Sequence, residues 1–390
     1  MESFEIIVVG AGAIGSSIAY HLAALGHTEV ALVDRGGVAG GPTGRSSAII
    51  RQNYSNELTA RLALESVRFF QTFAERTGDD CGYRATGCVS LAGVEEQAAL
   101  ATNVALQQRV GIDVRVVGLD DVRTLAPGIS VEGVAAATYE AAAGYADPVL
   151  TAQGLVEAAR ARGVRVRLHA AALGVRVAGG RVTGVETSAG LLSAAVVILA
   201  SGPWTNTLLA PLGASLPIRV TRHPVCIYER PDDFLGLHPV VGDFPNGVYL
   251  RAEGERLTLA GSLDIGPDDD VDPDAFATGS SYDEAATLGE LAARRYPALG
   301  RATSRGGWAG VYDVTPDWHP VVDEMGEARG LYVAAGTSGH GFKLAPALGE
   351  HIARLLIGDA LARTQLRPLR RSRFAEGALM RSQYAHGIVA

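Results

Sequence analysis

Residues 6–15 read Ile6-Ile7-Val8-Val9-Gly10-Ala11-Gly12-Ala13-Ile14-Gly15, and they decide the fold because an apolar, β-branched run leads directly into G-x-G-x-x-G. Residues 16–26 then carry apolar side chains at helical spacing, so the stretch predicts a strand, a tight turn and a helix. Gly10 allows the turn, Gly12 lets a pyrophosphate approach the backbone, and Gly15 lets the helix pack close to the strand. The cofactor-binding residues predicted here are Gly10, Gly12, Ala13, Ile14 and Gly15.

A second apolar run, residues 29–33, completes a strand–helix–strand unit and ends at Asp34, about twenty residues after the glycine turn. A carboxylate at that position can accept hydrogen bonds from the ribose hydroxyls of a dinucleotide, and we expect the neighbouring Arg35 to contact the same cofactor. A glycine turn without a cofactor is the alternative, and the complete βαβ context disfavours it. The predicted fold class is therefore α/β with a Rossmann-like domain.

Composition limits the classes of protein that the chain can belong to. Its 390 residues exceed the usual size of one hydrophobic core, which predicts two intertwined domains. A net charge of −8 disfavours binding to nucleic acid or to an anionic membrane. The three cysteines, Cys81, Cys88 and Cys226, lack C-x-x-C spacing, which disfavours a disulfide framework or a zinc site. With no apolar run of about 18 residues and a strand at the N-terminus, we expect a soluble, cytoplasmic protein.

The acidic run Asp268-Asp269-Asp270, followed by Asp272 and Asp274, raises the alternative of a calcium loop. Counted from Asp268, Pro273 occupies the position where an EF-hand needs Gly, and Gly279 the position where it needs Glu. We therefore predict a solvated loop and no metal site.

The later chain leaves the first domain and returns to it. Asp147-Pro148 predicts a helix start. Residues 194–200 form an unbroken apolar run that stops on a turn of small residues, as expected for a buried strand. Alternating strands within residues 217–312 predict an antiparallel sheet that covers the cofactor. We predict a cofactor-binding domain from residues 1–78, 145–212 and 318–390, and a substrate domain from residues 79–144 and 213–317.

Five motifs together resemble the FAD-dependent amine and amino-acid oxidoreductases of the D-amino acid oxidase superfamily. They are the glycine turn with Asp34, Gly44-Arg45-Ser46-Ser47-Ala48-Ile49-Ile50-Arg51, Ile198-Leu199-Ala200-Ser201-Gly202-Pro203-Trp204, Tyr312-Asp313-Val314-Thr315-Pro316-Asp317, and Gly339-His340-Gly341-Phe342-Lys343. The chain is most similar to monomeric sarcosine oxidase and to the β subunit of heterotetrameric sarcosine oxidase. The resemblance covers nearly the whole length. It implies a fold of the glutathione-reductase or D-amino acid oxidase type, with FAD in the first domain and a mainly antiparallel sheet in the second.

The resemblance also implies a carboxylate site. Arg51 and Lys343 match the two cations that hold the substrate carboxylate in the monomeric relatives, and Lys343 is the only lysine in the chain. A guanidinium offers a fork that matches a carboxylate, and an ammonium adds a point charge. Tyr312 matches a tyrosine on the substrate side of the flavin, and the turn before Lys343 is implied to direct N–H groups at the flavin pyrimidine. The other implied FAD contacts are Arg45, Ser46, Ser47, Ala48, Gly202, Trp204, Gly339, His340, Gly341 and Phe342, with Lys343 also at the flavin.

Three departures from the relatives change what we expect. Gly310 occupies the position of the cysteine that attaches FAD in the monomeric enzymes, so we predict non-covalent FAD. Ala146 falls near the histidine that holds a second flavin in the β subunits, so we predict one flavin. The lysine used for oxygen reduction is missing from residues 248–260, where Arg251 or Arg256 is the alternative. The electron acceptor is then oxygen or another oxidant.

These inferences predict oxidation of a small secondary (N-alkyl) or other α-amino acid by hydride transfer to flavin N5, giving an imine that hydrolyses. A dehydrogenase with a non-oxygen acceptor, a 2-hydroxy-acid oxidoreductase and a non-catalytic flavin-bearing subunit of a larger complex remain open alternatives. A serine hydrolase is disfavoured, because residues 336–339 do not give G-x-S-x-G. His319 and His340 lie in the motifs, but the sequence indicates no convincing general base.

Overall fold

The computed structural model describes residues 2–264 and 270–382. The strands are β1 (Glu2–Val9), β2 (Val30–Val33), β3 (Ile49–Ile50), β4 (Cys88–Ala92), β5 (Val114–Val117), β6 (Ala136–Glu140), β7 (Gly144–Tyr145), β8 (Arg165–Arg167), β9 (Ala172–Ala178), β10 (Arg181–Thr187), β11 (Gly190–Leu199), β12 (Arg219–Glu229), β13 (Val240–Asp243), β14 (Val248–Glu253), β15 (Leu257–Ser262), β16 (Thr303–Val314), β17 (Val321–Glu324) and β18 (Leu331–Ala335). The α-helices are α1 (Ala13–Ala24), α2 (Glu57–Gln71), α3 (Phe73–Thr77), α4 (Gln97–Val110), α5 (Leu119–Leu125), α6 (Pro148–Ala161), α7 (Thr205–Leu209), α8 (Tyr282–Arg295), α9 (Gly341–Leu356) and α10 (Ala360–Leu366).

The glycine turn follows a central strand of an eight-stranded sheet with the main order β17-β18-β11-β1-β2-β8. Strand β1 is parallel to both neighbours, and Val8 stands opposite Ile198 on one side and Leu32 on the other. The hairpin of β9 and β10 continues the sheet beside β11. The predicted βαβ unit and the α/β class are therefore confirmed.

A second eight-stranded sheet has the order β16-β12-β15-β14-β13-β4-β6-β5. Its pairs are antiparallel except that between β13 and β4, which agrees with the prediction of a mainly antiparallel sheet. The short strands β3 and β7 pair with each other, and Ile50 stands opposite Gly144. This small ladder lies just before Arg51.

Helix α9 packs directly on α1, although the two come from opposite ends of the sequence. A Cβ on Gly349 would lie 2.2 Å from Ser17 Oγ, so the glycine permits the close approach of the helices. The Ser17 hydroxyl donates to the carbonyl of Pro346 at 3.4 Å. As a result, the C-terminal motif that begins α9 lies beside the N-terminal glycine turn.

Helix α5 and strand β16 are among the elements that the sequence did not predict. Helix α5 is short, and the Asp121 side chain caps its start by accepting from the Gly118 N–H at 3.2 Å. Strand β16 has an exposed, glycine-containing first half with little apolar pattern, and it pairs along most of its length with β12.

Part of the acidic run, Asp268 and Asp269, lies outside the described residues. Asp270 pairs with Arg219 at 2.8 Å. Within residues 2–264 and 270–382, no helix is both long enough and apolar enough to cross a membrane.

Candidate active site

The glycine turn is held tightly against the end of β11. Gly10 has a φ of +110°, and a Cβ there would lie 2.3 Å from the carbonyl oxygen of Ala200. A Cβ on Gly15 would lie 1.8 Å from the Gly10 carbonyl oxygen. These approaches exclude a side chain at either position. They bring the N-terminus of α1, where Gly12 provides no side-chain cap, to the wall of a cavity.

Asp34 holds the same turn from the end of the next strand. One carboxylate oxygen accepts from the backbone N–H of Ala11 at 2.7 Å, and the other accepts from that of Gly36 at 2.7 Å. The side chain also lines the cavity, and its remaining lone pairs can accept from a ribose. Asp34 therefore shapes the turn and offers acceptors to a nucleotide.

Arg35 and Trp204 form one side of the cavity. The guanidinium carbon of Arg35 lies 3.8 Å from the centroid of the Trp204 ring, a cation–π contact. The guanidinium also pairs with Asp274 at 2.8 Å, and both partners are about half exposed. Asp274 lies between β15 and α8, so the connection between these two elements reaches the residue that follows Asp34 at the end of β2.

The cavity has a volume of about 500 Å³, within the range of cofactor and small-molecule sites. Most of the predicted site residues line it: Gly10, Gly12, Ala13, Ile14, Asp34, Arg35, Arg45, Ser46, Ser47, Gly202, Trp204, Tyr312, Gly339, Gly341 and Phe342. Gly15, Ala48 and His340 are buried and do not line it.

A smaller cavity of about 50 Å³ adjoins the first. The two share wall residues from three parts of the chain, namely Ser46, Ser47, Tyr312, Gly339 and Phe342. Arg51 and Lys343 line only the smaller cavity. The structure therefore brings the predicted pair of cations together beside the large cavity.

Both cations are buried. The Arg51 guanidinium donates to the carbonyl of Asn53 and lies 4.9 Å from the centroid of the Tyr54 ring. The Lys343 ammonium donates to the Gly339 carbonyl at 3.3 Å, and none of the described carboxylates forms an ion pair with it. Burial lowers the pKa of Lys343 well below its usual value, and the positive charge of Arg51 lowers it further. Such a pair can bind an anion, whose negative charge favours the protonated form of Lys343.

Tyr312 stacks on a histidine that sequence reasoning missed. The rings of Tyr312 and His223 lie 3.7 Å apart at an angle of 17°, and both line the large cavity. Burial lowers the pKa of His223 to about 3, so its imidazole is neutral, and its Nε2 lies 2.9 Å from the hydroxyl of Thr221. His223 stands opposite Gly310 in the β12–β16 ladder. Only the register of that ladder reveals the residue, since no motif contains it.

The turn that leads into α9 is organised by Asp313. Its carboxylate accepts from the backbone N–H groups of Gly336 at 2.6 Å and Thr337 at 3.1 Å, and from the Thr337 hydroxyl at 3.0 Å. Gly339 follows with a φ of +78°, and a Cβ there would lie 2.6 Å from the Tyr312 ring. These contacts fix the turn against Tyr312, at the junction of the two cavities.

The two motif histidines line neither cavity. His319 Nδ1 lies 2.6 Å from the Asp317 carbonyl, and His340 Nδ1 lies 3.1 Å from the Tyr54 hydroxyl. The role considered for Arg251 or Arg256 in place of the missing lysine stays a prediction. Arg251 is buried and donates to the Ser47 carbonyl at 2.6 Å, whereas Arg256 is exposed and pairs with Asp232. Neither arginine lines a cavity.

The two sheets, the glycine turn and the acidic residue after the second strand define a dinucleotide-binding protein of the flavoenzyme type. The chain belongs to the DAO family of FAD dependent oxidoreductases, whose family model matches residues 5–355. The family to which the sequence was assigned by resemblance is thus confirmed.

Individual relatives are distant but cover the chain well. It is 28% identical over 358 residues to 4-methylaminobutanoate oxidase (formaldehyde-forming) of Paenarthrobacter nicotinovorans, covering 90% of this chain and 43% of that protein. It is 26% identical to the sarcosine oxidase subunit beta of an Arthrobacter species, covering 97% and 93%. The crystal structure of L-proline dehydrogenase from P. horikoshii superposes with a TM-score of 0.88 at 26% identity, covering 97% and 100%. The chain spans about two fifths of the length of the first curated relatives it matches.

The residues present fit FAD. The turn at Gly10 and Gly15 has no room for side chains, so that a pyrophosphate can approach the N-terminus of α1, where the Thr43 hydroxyl accepts from the Ala13 N–H at 3.0 Å. Asp34 supplies acceptors for the ribose, and the large cavity continues to Tyr312 and Gly339. The cavity therefore offers groups for the pyrophosphate and the ribose, and its volume extends to the turn before Lys343.

Proposed function

We propose that the protein oxidises a small secondary or other α-amino acid with FAD. One observation carries the proposal: Arg51 and Lys343 form a buried pair of cations in a small cavity that shares walls with the cofactor cavity. Charge-assisted hydrogen bonds to a carboxylate would offset the burial of these two charges. The names of the three relatives contain 4-methylaminobutanoate, sarcosine and L-proline, and each compound carries a secondary amine and a carboxylate.

The proposed chemistry assigns separate tasks to cofactor and protein. Bound FAD supplies the hydride acceptor, flavin N5. Arg51 and Lys343 hold the substrate carboxylate, which fixes the direction of the C–H bond beside the nitrogen. Tyr312 forms the wall between the two cavities and limits the size of the substrate. The amine reacts in its neutral form, whose lone pair supports departure of the hydride, and water hydrolyses the product imine.

The cavity residues favour an amine over a 2-hydroxy acid. Oxidation of a hydroxyl group needs a base that takes its proton. His319 and His340 line neither cavity, and burial leaves the His223 imidazole with a pKa of about 3, too low for an effective base at neutral pH. An amine that binds in its neutral form needs no such base.

We further propose that one FAD is bound without a covalent link. Gly310 lines the cofactor cavity and has no side chain to attach a flavin, and a Cβ there would lie 3.2 Å from Arg45 Cβ. The wall of the large cavity contains no lysine among the described residues, so the residue that the relatives use for oxygen reduction has no counterpart there. The electron acceptor in this proposal is therefore either oxygen or another oxidant. A further subunit as electron acceptor, or as the active partner of a non-catalytic chain, stays an alternative.

A substrate panel tests the function. The FAD-loaded protein is mixed without oxygen with sarcosine, L-proline, glycine and 4-methylaminobutanoate, and with the 2-hydroxy acids lactate and glycolate. We expect the flavin absorbance to bleach with at least one amine and with neither hydroxy acid. Bleaching by hydroxy acids alone would refute the proposal, and admission of oxygen or of a dye afterwards distinguishes the acceptors.

A further inference from the structure

The segment that carries Arg51 is irregular yet buried. Residues 51–55 belong to no helix and, in the described structure, to no strand, and all five are buried. Buried backbone needs hydrogen-bond partners, and here side chains from elsewhere supply them. Gln107 of α4 donates to the Asn53 side chain at 3.0 Å and to the Tyr54 carbonyl at 3.1 Å. The geometry of the segment therefore depends on a few polar side chains.

Glu140, the last residue of β6, is the side chain that binds the backbone directly after Arg51. It is 1% exposed, and its Oε2 accepts from the backbone N–H of Gln52 at 2.7 Å. Its Oε1 is buried and makes no hydrogen bond with the described residues. On the other side of Arg51, Ile50 pairs with Gly144 in the β3–β7 ladder. The backbone of Arg51 is thus anchored on both sides, and Glu140 provides the second anchor.

We propose that Glu140 is the positioning residue of the carboxylate site, because its hydrogen bond to Gln52 fixes the backbone from which Arg51 reaches toward Lys343. The proposal rests on the proposed function, in which Arg51 and Lys343 bind the substrate carboxylate. Glu140 lines neither cavity and touches no substrate, so it acts only through Arg51.

The charges around Glu140 agree with this role. Burial raises its pKa to about 7, while the Gln52 N–H and the charge of Arg51 lower it. The neighbouring Cys88 and Tyr54 are uncharged at neutral pH, because burial raises the pKa of both groups. Burying a carboxyl whose second oxygen lacks a partner is unfavourable for folding alone. The role of Glu140 in positioning Arg51 explains why a carboxyl is buried there.

The test measures binding of propionate, a carboxylate without nitrogen, to the FAD-loaded protein by calorimetry. Glu140→Met keeps the length and volume of the side chain but removes the acceptor. We expect the dissociation constant for propionate to rise about tenfold or more, with unchanged affinity for FAD. Glu140→Gln restores an acceptor oxygen and should bind propionate within about threefold of wild type.

Glu96→Met is the matched control, because Glu96 also accepts a backbone N–H, that of Gly93 at 2.8 Å, and lines neither cavity. It should leave propionate binding unchanged. If Glu140→Met does not fold, Glu140→Asp replaces it, since the shorter acid does not reach Gln52, and the same loss is expected.

Two results would overturn the inference. The first is that Glu140→Met, or Glu140→Asp in its place, binds propionate as tightly as wild type does. The second is that the variant loses affinity for FAD to the same extent as for propionate, because this would indicate a general structural role. A wild-type protein that does not bind propionate would instead refute the carboxylate site itself, so the two failures are distinguishable.

Discussion

Replacing Lys343 by Met should weaken ligand binding and stabilise the fold at the same time. The ammonium is buried, its described hydrogen-bond partner is the Gly339 carbonyl, and burial lowers its pKa well below the usual value. Methionine has a similar length and fills the same space without charge. Removal of a charge-assisted bond of about 1.5–3 kcal/mol should raise the dissociation constant of propionate about tenfold to a hundredfold. Removal of a buried cation that forms no ion pair with the described carboxylates should raise the free energy of unfolding by about 1–3 kcal/mol.

Both effects can be measured on one preparation. Calorimetry of the FAD-loaded variant gives propionate affinity, and urea unfolding without ligand gives stability. Propionamide, which has the same size and no charge, should bind wild type and variant equally. Arg354→Met is the control, because Arg354 lies on the same helix α9 but is 42% exposed and pairs with Glu350 at 2.9 Å. A Lys343→Met variant that keeps wild-type affinity for propionate, or that unfolds more easily, would refute the reasoning.

Three further predictions concern the cofactor and the buried groups. Gly15→Ala places a Cβ 1.8 Å from the Gly10 carbonyl oxygen and should abolish FAD retention in size-exclusion chromatography, whereas Gly326→Ala, with no atom within 4 Å of its Cβ and away from the large cavity, should retain FAD. Acid precipitation should release the yellow cofactor into the supernatant, and colour in the pellet would reveal a covalent link. His238 is buried with a pKa of about 4 against 6.5, so the unfolded state binds its proton first as the pH falls. Stability should therefore drop by about 2 kcal/mol between pH 7 and 5 because of this residue, and His238→Gln should flatten the measured pH dependence by that amount.

The sequence predicted the parts of the fold that local pattern controls. The strand, glycine turn and helix at the N-terminus follow from periodicity and spacing, and Asp147 caps α6 as its sequence predicts, accepting from the N–H groups of Val149 and Leu150. Arg51 and Lys343 were identified by resemblance, since no local pattern relates residues so far apart. The domain limits and the individual roles of the site residues stay predictions.

Residues whose role depends on register or on burial were not predictable. His223 belongs to the cavity because β12 pairs with β16 in one particular register. Glu140 ends a strand and reads in the sequence as an ordinary solvated acid, yet it is 1% exposed. Likewise, Gln107 lies on a helix with little amphipathic pattern, and only the fold shows that it bonds the segment after Arg51. In each case a polar residue is buried because of contacts distant in sequence.

The packing of α9 on α1 also bears on how the protein is made. The glycine turn leaves the ribosome early, whereas the Gly339–Lys343 turn and the helix that supports it follow more than 300 residues later. A nascent chain that ends before Thr337 would contain the glycine turn proposed to bind the pyrophosphate but not the turn proposed to bind the flavin ring. We therefore expect the cofactor to be acquired late in synthesis or after release of the finished chain.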